Sequence, residues 1–176
     1  MNNRYAAISV WLHWIMLLVM VAVYATIELR GQFPRGSEER DLIKTAHYLL
    51  GLSIFVLVWF RIVARLITTT PDRENYGKFQ RISSTLMFLA FYALMIVMPL
   101  LGWAIVSGEG HHVQLFGWQL PAIIGPDKDL AHDIEEIHET IGTAGYYLVA
   151  IHAAAALFHH YVKKDDTLKR MLRFKD

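Results

Sequence analysis

Long stretches without any charged residue dominate the pattern of hydrophobic and polar positions along the chain. Three of them, with lengths of 23, 27 and 23 residues, are residues 5–27, 82–108 and 140–162. A fourth, residues 45–60, has 16 residues and reaches 21 if Arg61 and Arg65 extend their charged ends to the membrane surface. A helix of about 20 mainly apolar residues crosses the hydrocarbon core of a bilayer. The pattern therefore predicts an all-α, four-helix transmembrane bundle.

The predicted spans belong to a single membrane domain that covers residues 1–176. They are residues 6–28, 43–66, 82–106 and 138–162. The alternative is a soluble bundle of very apolar helices, but the runs lack amphipathic periodicity and are too long for it. The first run is also too long for a signal peptide, and no small-x-small cleavage site follows it. Tyr24 and other aromatic residues near the ends of the runs are typical of the aromatic belts of membrane proteins.

The composition supports the membrane assignment and removes several kinds of metal and redox site. Hydrophobic residues make up 55% of the 176 residues and charged residues only 19%, whereas soluble proteins are about 45–50% apolar. The chain has no cysteine, which excludes disulfides, thiolate zinc sites, iron–sulfur clusters and covalently attached c-type haem. The net charge of +1 gives no indication of binding to nucleic acid or to another polyanion.

The charged residues divide unequally between the two ends of the predicted bundle. The end with the N-terminus, residues 61–81 and the tail from Lys163 carries 12 of the 17 basic residues and 5 of the 16 acidic residues. The opposite end, which holds the other two connections, carries the remaining 5 basic and 11 acidic residues. The balance is near +7 against −6, and Lys and Arg accumulate on the cytoplasmic side of membrane proteins. The sequence therefore predicts that both termini are cytoplasmic.

Four of the nine histidines fall within the predicted spans or at their starts. His13 lies in the first span and His47 near the start of the second. His138 and His152 lie near the two ends of the fourth. A polar ring in lipid is costly unless it is paired, so each is a candidate functional residue, although a hydrogen bond to a neighbouring helix explains any single one equally well. The alternating direction of the spans predicts two pairs of histidines, each at one depth in the membrane. His13 and His152 lie level towards the cytoplasm, and His47 and His138 lie level towards the outer side.

Helix geometry places His138 and His152 on one face of the fourth span. The 14 residues from one to the other correspond to a rise of about 21 Å and a rotation that returns to within about 40° of the start. That separation leaves room for two planar cofactors at different depths. Gly51, Gly142 and Gly145 lie close to these histidines along their helices. They either make room for a macrocycle or ease the packing of helices.

Facing imidazoles in an apolar bundle without thiolates are typical of bis-histidine b-type haem. Other metal sites fit less well. The zinc motif HExxH begins at His138 but has Gly142 where its second histidine is required. Glu135-x-x-His138 matches half of a di-iron carboxylate site, and the other half is missing. The outer-loop residues that could instead bind zinc, or be solvated histidines, are His111, His112 and His132. Iron with histidine on both axial positions cannot bind substrate and would relay electrons.

Two further residues are candidates for a reaction on the cytoplasmic side. Arg61 lies 14 residues after His47, on nearly the same helix face and at the depth of the cytoplasmic pair. Its cation could pair with haem propionates or with a quinone head group. A snorkelling arginine is the alternative, and it is the preferred interpretation of Arg65. His159 lies two turns beyond His152 and could deliver protons to a reduced quinone, or be a plain interfacial histidine.

Several sequence segments are distinctive when taken together. They are WLHW around His13, RGQFPR after the first span, HETIGTAGYY from His138 and IHAAAALFHHYVKKDDTLKRM around His152. This combination resembles the bacterial cytochrome b561 family over essentially the whole chain. The resemblance implies a four-helix protein of the bacterial inner membrane that holds two haem b groups. The axial iron ligands that it implies are His13, His47, His138 and His152. Through the family's superoxide oxidase member, it also implies electron transfer from periplasmic superoxide to ubiquinone.

Two classes of function follow from these observations. The first is an oxidoreductase in which superoxide, or another small donor, reduces the outer haem and ubiquinone accepts the electrons. The second is an electron-relay cytochrome b subunit between quinone and a partner dehydrogenase or hydrogenase. The chain shows no extramembrane domain and no docking segment, which favours the first class. The acidic outer side does not favour superoxide, which is an anion, except where Arg30, Arg35 and Lys44 form a local positive patch.

Overall fold

The computed structural model describes residues 5–71, 77–115 and 117–172. Its four long helices are α1 (Ala7–Arg30), α2 (Glu38–Ile67), α3 (Lys78–Gly108) and α4 (Lys128–Phe158). Each is long and apolar enough to cross a membrane, so the all-α four-helix fold predicted from the sequence is confirmed. Four basic residues that contribute to the predicted orientation, Arg4, Arg73, Arg173 and Lys175, lie outside the described residues.

Side-chain caps set the starting points of α2 and α4. Ser37 Oγ accepts a hydrogen bond from the backbone N–H of Arg40 at 3.3 Å. Asp127 Oδ1 accepts one from the backbone N–H of Leu130 at 3.0 Å. Such caps satisfy N–H groups that have no partner within the helix, and a carboxylate also interacts favourably with the helix dipole. Because of the Asp127 cap, α4 begins ten residues before the span predicted at 138–162, with mostly polar first turns.

The apolar core lies between α1, α2 and α3. Met16, Ile54, Val58 and Met95 are buried there together. Close backbone contacts join the helices in chain order, α1 to α2, α2 to α3 and α3 to α4, whereas α4 makes few with α1 or α2. A space therefore remains between α4 on one side and the α1–α2 pair on the other, and we call this space the slit.

A short hairpin covers the end of the bundle that holds the α1–α2 connection, which we call the loop end. Its strands β1 (Gln114–Leu115) and β2 (Trp118–Gln119) pair in antiparallel register. Val113, just before β1, is buried in a second apolar cluster with Leu52 of α2 and Val106 of α3. The hairpin segment thus packs against α2 and α3 at the loop end.

The chain folds back on itself at the opposite end, which we call the basic end. α4 continues there as a single π-helical turn, His159–Lys163, and Lys164 then adopts a left-handed conformation with φ of 55°. A short helix, α5 (Lys169–Leu172), follows. The indole N–H of Trp14 donates a hydrogen bond to the carbonyl of Met171 at 2.7 Å. This bond attaches the tail after α4 to the start of α1.

Candidate functional site

Two pairs of histidine rings face each other across the slit. The ring centres of His13 on α1 and His152 on α4 are 6.2 Å apart, with their planes at 66°. Those of His47 on α2 and His138 on α4 are 6.3 Å apart, with their planes at 68°. We call the first the basic-end pair and the second the loop-end pair. The structure therefore brings together the same two pairs that the sequence predicted.

The distance within each pair fits two imidazoles bound to opposite sides of one metal ion. Metal–imidazole bonds are about 2 Å long and the ring centre lies about 1 Å beyond the bonded nitrogen, so two such rings have centres about 6 Å apart. The rings of His13, His47 and His138 are half-buried, and that of His152 is more exposed. Two imidazoles facing each other in an apolar bundle are the donor set of bis-histidine haem. The residues at both pairs thus fit haem b.

Hydrogen bonds to α1 fix the orientation of His47. Its Nδ1 lies 3.2 Å from the carbonyl oxygen of Val23 and 3.1 Å from Thr26 Oγ1. The Thr26 hydroxyl itself donates to the Val23 carbonyl at 2.6 Å, so both neighbours of Nδ1 act as acceptors. Nδ1 therefore carries the proton, and Nε2 keeps the lone pair that a metal ligand needs. Sequence reasoning missed Thr26, although a polar residue within an apolar run was a signal for it.

A cavity of about 350 Å³ surrounds the loop-end pair, a volume typical of ligand sites. Three glycines line it, Gly51, Gly102 and Gly142. A Cβ atom at Gly51 would meet no atom within 4 Å, and one at Gly102 would lie 3.5 Å from Cε1 of His138. Pro99 of α3 also lines the cavity. Gly51 thus faces open space, as expected of a residue that makes room for a cofactor, and Gly102 is a neighbour of the histidine that sequence reasoning missed.

Tyr24 of α1 crosses the slit between the two pairs. Its hydroxyl donates a hydrogen bond to the carbonyl of Gly142 at 2.9 Å, and a Cβ atom at Gly145 would overlap this hydroxyl. Gly145 is seven residues from both His138 and His152, so the hydroxyl lies midway between the pairs. The prediction that Tyr24 belongs to an aromatic belt is therefore wrong, because its hydroxyl points into the bundle. Gly145 makes room for the Tyr24 side chain, which crosses from α1 to α4.

Arg61 lies at the level of the basic-end pair, where its charge acts on both histidines of that pair. Its Nη1 and the nearby hydroxyl of Tyr92 are buried, and neither makes a hydrogen bond of normal geometry to a described residue. A buried cation with an unused donor fits an anionic or carbonyl group of a ligand. Arg65, one turn later, instead stacks on Phe88, with Cζ 4.0 Å from the ring centre.

His159 lies at the end of α4 and is held by a carboxylate. Its Nδ1 is 2.5 Å from Asp165 Oδ2, and the backbone N–H of Asp165 donates to the His159 carbonyl at 3.1 Å. Partial burial acts to raise the pKa of Asp165, but hydrogen bonds from Thr167 and His159 outweigh it and hold the pKa below its ordinary value of 3.8. Asp165 therefore stays ionised near neutral pH. Sequence reasoning missed it, because the contact depends on the left-handed turn at Lys164.

The three other histidines at the loop end, His111, His112 and His132, do not belong to either pair. His111 and His112 are exposed, and His132 is exposed and 3.6 Å from Glu136 on the next turn of α4. Within the described ranges, no three His, Asp or Glu side chains are arranged to hold a metal ion. Glu135 of the half di-iron motif lines the cavity at the loop-end pair. The surroundings of these histidines are those of solvated side chains.

Known proteins match this chain over nearly its whole length. The profile of a family described as prokaryotic cytochrome b561 matches residues 4–174. Cytochrome b561 homolog 1 of Escherichia coli is 36% identical over 171 residues, which is 97% of either chain. The probable superoxide oxidase CybB of Yersinia pestis is 33% identical over 178 residues, covering 98% of this chain and 97% of its own. Cytochrome b561 homolog 2 of Escherichia coli is 26% identical over 178 residues, with 97% and 92% covered.

Proposed function

Because the chain belongs to the prokaryotic cytochrome b561 family, and is thus a multi-pass electron-transfer protein of the bacterial inner membrane, we propose that it holds two b haems and oxidises superoxide with ubiquinone as acceptor. The observation that carries the proposal is the spacing of 6.2 and 6.3 Å within two histidine pairs at two levels of one bundle. When bound, a b haem with two histidine ligands exchanges single electrons without binding the substrate at its iron. The proposed ligands are His13 with His152 and His47 with His138.

The loop end is the proposed side of superoxide oxidation. The excess of Lys and Arg at the basic end predicts that the loop end faces the periplasm, and the cavity of about 350 Å³ lies there around the loop-end pair. One superoxide gives up one electron and leaves as dioxygen. Two superoxides and two protons convert one ubiquinone to ubiquinol, so the electrons and protons balance. The Yersinia pestis relative is named a probable superoxide oxidase, in agreement with this chemistry.

The basic end is the proposed side of ubiquinone reduction. Arg61 has an unused buried donor there, which would bind a carbonyl oxygen of the quinone head group. His159 would give a proton to that ring as it is reduced, through the nitrogen that does not face Asp165. Asp165 would fix the orientation of the imidazole. The two residues thus have different roles, one in binding and one in proton transfer.

The purified protein reconstituted with haem provides the test of the reaction. We expect superoxide to reduce the haem rapidly, as seen in the absorption spectrum. Added ubiquinone should reoxidise the haem, and superoxide dismutase should abolish its reduction. If haem is reduced no faster without the dismutase than with it, superoxide is not the donor. Ubiquinol production at half the molar amount of superoxide consumed checks the stoichiometry.

The ligand assignment is tested by pairwise loss of haem. We expect His13→Ala and His152→Ala to disturb the same haem, seen by electron paramagnetic resonance. His47→Ala and His138→Ala should disturb the other. His132→Ala is the matched control, since this histidine also lies on α4 but is exposed to solvent. Two unaltered bis-histidine signals in any of the four variants would refute the assignment.

The quinone residues are tested with neighbouring control variants. We expect Arg61→Ala and His159→Ala to slow ubiquinone reduction at least several-fold with both haems present. Arg65→Ala and His160→Ala remove the same side-chain types one turn or one residue away and should slow it little. Equal rates within each matched pair would refute the placement of the quinone.

A second candidate function is that of an electron-relay subunit between quinone and a partner dehydrogenase or hydrogenase. One observation favours it: the loop end is acidic, near −6 in total, and exposed carboxylates such as Asp129, Asp133 and Glu136 follow the start of α4. Such a surface attracts a basic partner protein and repels superoxide. For this function, superoxide leaves the haem spectrum unchanged and only a reduced partner protein changes it.

A further inference from the structure

A second cavity, of about 420 Å³, adjoins the cavity of the loop-end pair. Its lining includes Lys128, His111 and His132, which do not line the first cavity. The residues that line both cavities are Lys44, Ile105, Glu109 and Glu135. The second cavity therefore shares a wall with the space around His47 and His138, and we call it the vestibule.

An ion pair stands in the wall between the vestibule and the first cavity. Lys44 Nζ lies 3.2 Å from Glu109 Oε2. Lys44 is three residues before His47 on α2, and Glu109 directly follows the last residue of α3. The two side chains are 37% and 32% exposed, and an ion pair in such contact with water contributes about 1 kcal/mol or less. The pair can therefore exchange partners at little cost.

The charge of the vestibule differs from that of the loop end as a whole. Its lining has two lysines, Lys44 and Lys128, against two carboxylates, Glu109 and Glu135, together with two imidazoles. It is thus balanced, whereas the loop end totals near −6. An approaching anion is repelled less here than elsewhere on that end. If Lys44 leaves Glu109, a positive charge becomes available beside the loop-end pair.

We propose that the vestibule admits a small anionic electron donor, and that Lys44 receives it by exchanging the Glu109 carboxylate for the anion. The inference rests on the proposed function, in which the anion is superoxide; it gives up one electron and leaves as dioxygen. Lys44 and Glu109 then select the electron donor by the sign of its charge. An acidic loop end is compatible with an anionic substrate because the entrance itself is balanced.

Substitutions in the haem-loaded, oxidised protein test this assignment. Glu109→Gln removes the carboxylate beside Lys44, which keeps its contact with the Tyr48 ring, 5.7 Å from Nζ to the ring centre. At low ionic strength we therefore expect superoxide to reduce the haem about two- to fivefold faster, and we expect salt to remove the gain. Lys44→Gln should slow the reaction by a similar factor. Because Lys44 lies one turn from His47, Lys44→Gln can also disturb the histidine itself. Lys128→Gln on α4 removes another positive charge from the vestibule without this effect and should also slow the reaction. Glu38→Gln is the matched control, since it changes the same charge at the loop end outside both cavities.

A readout that needs no electron transfer separates binding from activity. The chloride resonance in nuclear magnetic resonance broadens when chloride exchanges with a protein site, and we expect more broadening in Glu109→Gln and less in Lys44→Gln. If Glu109→Gln and Glu38→Gln give equal rates and equal line widths, the exchange at Lys44 is refuted while superoxide oxidation by the wild type stands. If superoxide reduces no haem but chloride broadening still depends on Lys44 and Glu109, the proposed function fails and the anion site stands.

Discussion

Replacing Gly145 with alanine tests the contact that lies between the two histidine pairs. The added Cβ would overlap the Tyr24 hydroxyl, and the next atoms, Leu94 Cδ2 and Tyr24 Cζ, lie at 3.4 Å. Forcing Tyr24 aside costs about 1–3 kcal/mol, and losing its hydrogen bond to the Gly142 carbonyl costs about 1 kcal/mol. The higher helix propensity of alanine returns about 1 kcal/mol. We therefore expect Gly145→Ala to lower the free energy of unfolding by about 1–3 kcal/mol.

Tyr24→Phe identifies the cause of that loss. Alone, it removes only the hydroxyl and its hydrogen bond, which costs about 1 kcal/mol. In the double variant, the Cβ at position 145 no longer meets a hydroxyl, so adding alanine to the Tyr24→Phe background should cost nothing or stabilise by up to about 1 kcal/mol. The two substitutions should therefore be coupled by about 1–4 kcal/mol.

Unfolding in mixed detergent micelles, followed by far-ultraviolet circular dichroism, measures these free energies. Gly142→Ala is the matched control on the same helix, because its Cβ would lie at an ordinary contact distance of 3.5 Å from Met98 Cε. It should not destabilise the protein. If the effects of Gly145→Ala and Tyr24→Phe add to within about 0.5 kcal/mol, the steric reasoning is refuted.

Three further predictions concern the surroundings of the sites. Thr26→Val removes one hydrogen-bond acceptor from His47 Nδ1. A redox titration should then show the midpoint potential of one haem raised by tens of millivolts and that of the other haem unchanged. Asp165→Asn should slow ubiquinone reduction several-fold, whereas Asp166→Asn should not. Because the pKa of Asp165 is lowered, the carboxylate stays bound to His159 above pH 3.8, and this bond is lost only as the pH falls through the lowered pKa. In the wild type, loss of the bond should therefore not limit the rate of ubiquinone reduction between about pH 5 and 8. Asp127→Ala should lower the free energy of unfolding by about 1 kcal/mol without changing the haem spectrum.

The four helices and the pairing of the histidines could be predicted because both depend on covalent geometry. A run of apolar residues longer than a bilayer is thick leaves few alternatives to a helix. The rise and rotation per residue then fix how His138 and His152 stand on α4. The direction of each span fixes which histidine lies at their level on α1 and α2. These inferences need no knowledge of how the helices rotate against one another.

Contacts that depend on that rotation could not be predicted. The sequence predicts Tyr24 at the membrane surface because it does not reveal that α1 turns the hydroxyl towards Gly145 of α4. Asp165 reaches His159 only because the chain reverses at a left-handed Lys164, a conformation that the sequence does not mark with glycine. The Lys44–Glu109 pair likewise joins the start of α2 to the end of α3.

One helix, α4, supplies a histidine to both pairs, and this constrains how the gene can change in length. Inserting a single residue between His138 and His152 rotates the second by about 100° and shifts it by about 1.5 Å, so one pair is always lost. An insertion between the strands at residues 115 and 118 displaces no histidine of either pair. Insertions and deletions tolerated in related chains should therefore collect in the connections. The 14-residue interval on α4 should keep its length even where its sequence diverges.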